Sequence, residues 1–120
     1  MGIATWLARA AGVVYLPTLT TLLLMSTPPR LPRVVSNLGA HFCAFTLLAF
    51  LAAAGRWPIR SVVLAGLLVA YALLVETAQL LVGARSVELL DYVENLLGIV
   101  AGLSAWTLWQ RWRGSHEPSP

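Results

Sequence analysis

The sequence predicts an all-α integral membrane protein, a bundle of four transmembrane helices, on three observations. The chain is 58% hydrophobic and only 11% charged, against about 25% charged in ordinary soluble chains, and its mean hydropathy is +0.77. Its apolar residues fall into four long runs, divided by short stretches of proline, glycine and arginine. Arginines and tryptophans stand at the ends of those runs, where membrane-border anchors belong. With 120 residues there is room for one domain.

The first run, Ala10 to Pro29, is free of charge and follows Trp6 and Arg9. About 20 apolar residues cross the hydrocarbon core, so it is long enough for a first transmembrane helix, with Pro17 as a point of kinking. A cleaved signal peptide fits less well. Arg9 is not at the extreme N-terminus, and Ser26, Thr27 and Pro28 make a poor cleavage site. Pro28, Pro29, Arg30, Pro32 and Arg33 then read as a rigid loop. A second span is expected within Val34 to Gly55, starting near Asn37, and Arg56, Trp57, Pro58 and Arg60 end it. Pro58 suits the first turn of the next helix. The third span is Ser61 to Val82, apolar until Glu76 interrupts it. The fourth runs from Leu89 to Gln110 and ends in Trp106, Trp109, Arg111, Trp112 and Arg113. The final residues GSHEPSP are polar and read as disordered. Residues 1–33 are thus a first transmembrane helix with its Pro/Arg loop, 34–110 a three-helix core and 111–120 a polar tail.

All eight basic residues are arginines, set singly or in pairs between apolar runs. A sequence pI of 9.8 therefore points to topology and lipid headgroups rather than to nucleic acid. Four spans put both termini on one side. Arg9, Arg56, Arg60, Arg111 and Arg113 share that side, and Arg30, Arg33 and Arg85 lie opposite. Positive charge then favours a multi-pass protein with both termini cytoplasmic.

One stretch breaks the apolar pattern: ETAQLLVGARSVELLDYVENLLGIVAG, Glu76 to Gly102. Polar groups in lipid are costly and mark function or a clasp between helices. Glu76 and Gln79 are three apart and share a helix face. After Gly83, Arg85 and the candidate N-cap Ser86, a second helix carries Asp91, Asn95, Gly98 and Gly102 on one stripe. The pair Gly98 and Gly102 forms a G-x-x-x-G seam for close helix packing. In the expected topology His41 enters from outside, Glu76 leaves toward outside and Asn95 re-enters. At about 1.5 Å per residue these three fall within roughly 6 to 9 Å of the outer helix ends, so they should meet in one layer.

The succession Glu76, Gln79, Arg85, Asp91, Asn95, Gly98, Gly102 resembles the VanZ-like family of small bacterial membrane proteins. An earlier segment of that family, Asp-Lys-x-x-His-Phe-x-x-Tyr, is matched by His41 and Phe42. Asn37, Leu38 and Phe45 stand where the family has Asp, Lys and Tyr. The resemblance covers roughly residues 34 to 105. It implies a bacterial cytoplasmic (inner) membrane protein of the cell envelope. It also implies an association with antibiotic resistance, to teicoplanin, a lipid-tailed glycopeptide that acts on cell-wall precursors at the outer face of that membrane.

The residues leave several readings open. His41, Glu76, Gln79, Arg85, Asp91 and Asn95 are the candidate binding residues, with Gly98 and Gly102 as packing. A polar pocket near the outer leaflet, with Arg85 at its rim, would take a membrane lipid or a lipid-linked envelope precursor. Alternatively Glu76 and His41 are catalytic, an acid and a base acting on a lipid-linked headgroup while Arg85 clamps a phosphate. A structural reading makes Glu76 a clasp to Arg85 or Gln79, His41 a donor to a loop carbonyl, Asp91 and Glu94 favourable charges at a helix N-terminus, and the glycine seam a contact between copies of the chain, a possible homo-oligomer. His41, Glu76 and Asp91 have the donor types of a metal site but identify no metal, and no cofactor is called for. The lone Cys43 rules out an internal disulfide. Phosphate-loop, C-x-x-C, H-E-x-x-H and G-x-S-x-G patterns do not occur.

Overall fold

The computed structural model describes residues 2–24, 39–82 and 89–118. They form four α-helices: α1 (Ile3–Leu24), α2 (Ala40–Ala54), α3 (Ser61–Val82) and α4 (Leu89–His116). The class is all-α, and α1 and α3 are long and apolar enough to cross a membrane. The bounds of α3 coincide with the predicted span.

The other helices depart from expectation for local reasons. α2 begins at Ala40 rather than near Asn37, because Gly39 stands before it with φ 102°, a left-handed backbone that ends helical geometry and that glycine tolerates best. Val34 to Leu38 lie outside the described residues. Fifteen residues give α2 about 22 Å at 1.5 Å per residue, short of the ~30 Å hydrocarbon core. α1 starts at Ile3, well before Ala10, so Trp6 and Arg9 are helical. Pro17 sits inside it, and the hydroxyls of Thr18, Thr20 and Thr21 donate to the carbonyls of Val14, Leu16 and Pro17. α4 does not stop at Gln110. It runs on to His116, taking in the first residues of the expected disordered tail, with Trp109, Trp112 and His116 stacked in series along one face. The Ser115 hydroxyl closes the end by donating to the Trp112 carbonyl at 2.7 Å.

α2 is the hub. It packs most extensively on α4 and next on α1. The α2–α4 seam depends on two glycines. A Cβ at Gly98 would lie 2.6 Å from the Phe42 carbonyl oxygen, and one at Gly102 would overlap the Thr46 carbonyl oxygen and stand 2.7 Å from the Ala49 Cβ. The glycine seam is therefore filled by α2 of the same chain. Below it Phe50 meets Trp106 edge-on. The core gathers Leu19 and Leu23 of α1, Phe45 and Leu48 of α2, Leu68, Ala72 and Val75 of α3, and Ile99 of α4.

Polarity is inverted relative to a water-soluble bundle. Leu7, Val14, Val62, Leu74, Leu81 and Val100 are each more than 60% exposed, whereas Glu76, Gln79 and Asn95 are at most 1% exposed. An outward apolar face around an inward polar cluster suits a lipid surround.

Candidate functional site

Three helices deliver the inward polar side chains to one end of the bundle. His41 is the second residue of α2, Asn95 lies in the second turn of α4, and Glu76 occupies the last third of α3. α3 runs antiparallel to α2 and α4, so its C-terminal portion meets their N-terminal portions. The Asn95 Nδ2 donates to Glu76 Oε1 at 2.8 Å. On its other side the Asn95 Oδ1 lies 3.0 Å from His41 Nδ1, which is also 3.3 Å from Glu76 Oε1. Both oxygens are acceptors in this arrangement, so His41 Nδ1 carries the hydrogen and shares it between them. Asn95 and Glu76 are wholly buried, and His41 is 9% exposed.

The Glu76 carboxyl is only half used. Its Oε2 is buried and has no hydrogen-bond partner among the described residues. Leaving such an atom unpaired costs about 1–3 kcal/mol, so a further donor is called for.

Gln79 serves a different purpose from the triad. Its Nε2 donates to the Leu23 carbonyl, 2.7 Å away at the last turn of α1, where helical carbonyls lack intrahelical partners. It ties α1 to α3 next to the cluster. Asp91 is half-buried in the first turn of α4, one helical turn before Asn95. Glu94 is half-buried too. Arg85, Ser86, Asn37 and Leu38 fall outside the described residues. Phe45, where the resemblance would place tyrosine, is completely buried and packs against the ring of Tyr71 at 5.9 Å between centroids. Among the described residues no three His, Cys, Asp or Glu side chains are grouped to hold a metal ion. Cys43 is exposed on the apolar surface.

Two features beside the site had no advance signal. The hydroxyls of Thr20 and Tyr71 meet at 2.7 Å, and Tyr15 donates to the Ala44 carbonyl at 2.8 Å. Tyrosines and threonines in apolar runs read as interior or border residues, and nothing in their spacing identified these partners.

This arrangement can act in two ways. It can hold a donor against the unused carboxyl oxygen, or it can pass a proton between carboxyl and imidazole. No curated protein and no solved structure matches the chain. The VanZ/LLP1 family model matches residues 9–110, from within α1 nearly to the end of α4 and across every residue of the cluster. The chain belongs to the VanZ/LLP1 family.

Proposed function

We propose that the protein is a binding module of the bacterial cell envelope, and that the His41–Asn95–Glu76 cluster recognises the headgroup of a lipid-linked or other membrane amphiphile. In this reading the chain crosses the cytoplasmic membrane four times with both termini cytoplasmic, and the cluster lies near the outer leaflet. Gln79 holds α1 in place, Asp91 adds charge one helical turn before Asn95, and Arg85, outside the described residues, is the expected rim residue. One observation carries the proposal, the buried Glu76 Oε2 that lacks a partner among the described residues. Native proteins rarely leave such an atom unpaired, and a headgroup hydroxyl or ammonium would complete it.

The test is native mass spectrometry of the purified protein for a co-purifying lipid. A specific adduct in the wild type that disappears in Glu76→Ala is the expected result, and no lipid preference in either protein would sink the proposal. The family resemblance extends it to glycopeptides. Expression in a susceptible bacterium is expected to raise the inhibitory concentration of teicoplanin more than that of a glycopeptide without a lipid tail.

The 3.3 Å approach of His41 Nδ1 to Glu76 Oε1 favours a second reading, an intramembrane enzyme acting on a lipid-linked headgroup. Glu76→Gln separates the two. The amide retains an acceptor for Asn95 and would preserve much of a hydrogen-bonding site, but it cannot exchange a proton and would abolish acid–base turnover.

A further inference from the structure

The opposite end of the bundle has its own concavity. α1 and α3 run parallel and are joined by two hydrogen bonds, Thr20 to Tyr71 at the middle of α3 and Gln79 to Leu23 near the C-terminal ends of both. Toward their N-terminal ends they face each other across a groove of about 290 Å³. Gly12 and Leu16 form one wall, Leu64 and Leu67 the other, and Leu48 and Ala52 of α2 the floor. Arg9 and Trp57 stand in its lining as well. The Arg9 Nε donates to the Gly55 carbonyl at 2.7 Å and its second nitrogen to the Arg56 carbonyl at 3.1 Å, with Trp57 4.5 Å from the guanidinium. A guanidinium has five N–H donors, so this fixed group has donors to spare.

We propose that the groove holds one acyl chain of an anionic phospholipid, with its phosphate at Arg9, Arg56 and Arg60. The proposal is independent of the function assigned to the Glu76 end. An apolar recess stays dry, and left empty it forfeits dispersion contacts along its lining. Val13 and Leu67, which also line it, are 63% and 58% exposed, so the groove is open sideways, where acyl chains are the solvent. Charge selects the headgroup. Arg9, Arg56, Arg60, Arg111 and Arg113 all belong to this border, and Glu117 is the one acid there among the described residues. The other described acids, Glu76, Asp91 and Glu94, lie toward the far end.

The test is native mass spectrometry of the full chain with dioleoylphosphatidylglycerol or dioleoylphosphatidylcholine added to the micelles. Gly12→Leu and Leu67→Trp fill the groove from opposite walls. A Cβ at Gly12 meets nothing closer than the Leu51 Cβ at 4.0 Å, so the first is expected to fold, and helical circular dichroism checks both. The wild type should keep one phosphatidylglycerol in preference to phosphatidylcholine, and the filled variants should lose it. Arg60→Gln should weaken retention about fivefold, the effect of removing one juxtamembrane cation. Glu76→Gln should leave it unchanged. Equal retention of the two lipids, wild-type retention in a folded filled variant, or loss in Glu76→Gln to the same degree would each overturn the proposal.

Discussion

The two ends of the bundle solve the same problem in opposite ways. At the His41 end, α2, α3 and α4 are bonded through buried side chains, and Gln79 fastens α1 to them. At the Arg9 end, α1 and α2 are joined by a half-buried arginine to two backbone carbonyls, and α1 and α3 stand apart over an apolar groove. In lipid, apolar contact between helices offers little advantage over contact with acyl chains, so association relies on close packing and hydrogen bonds. The contrast separates the two: the bonded end sets geometry, and the other end leaves an open apolar recess.

That contrast can be broken by substitution. The largest effect should come from the seam serving both ends. Gly102→Leu drives a side chain into the Thr46 carbonyl and Ala49, and its cost should reach or exceed about 3 kcal/mol, the upper range for overpacking, seen as loss of folded protein during purification. Next comes the bonded end. Asn95→Leu removes the donor to Glu76 and the acceptor from His41, and leaves the carboxylate short of partners. A cost of up to about 3 kcal/mol, the upper figure for a buried polar group left unsatisfied, is expected and is read by detergent titration in mixed micelles. Arg9→Met should cost less, about 1.5 kcal/mol, the lower figure for hydrogen bonds to a charged group, in the same titration. The smallest effect should come from the groove wall. Leu67→Phe changes a groove-wall side chain that is 58% exposed and should stay within about 0.5 kcal/mol. A larger loss there would mean that the groove end also sets the fold.

How much was legible in advance follows the same division. Helical class, the limits of α3 and the meeting of residues 41, 76 and 95 could all be reasoned from the sequence, because polar side chains in apolar helices must find one another and helical rise fixes their depth. The partner of Gln79 could not, since a backbone carbonyl carries no mark in the sequence. α2 came out shorter because Gly39 takes a positive φ, and glycine alone does not announce which conformation it will adopt. α4 is longer than expected because Trp and Arg residues mark a membrane border and not a helix end, and the helix continues through Trp112 to His116. The glycine seam was recognisable as a packing face, but not which helix would fill it. The groove was invisible, because Leu64 and Leu67 read like any other apolar residues until the neighbouring helices are in place.

The amide of Asn95 gives the buried chain of bonds a direction. With its nitrogen toward Glu76 and its oxygen toward His41, it fixes the imidazole hydrogen on Nδ1. Turned over, the same amide would require a hydrogen on Glu76 and would shift the imidazole hydrogen to Nε2. One rotation of a neutral side chain would thus reverse the donor-to-acceptor order along this buried chain of bonds.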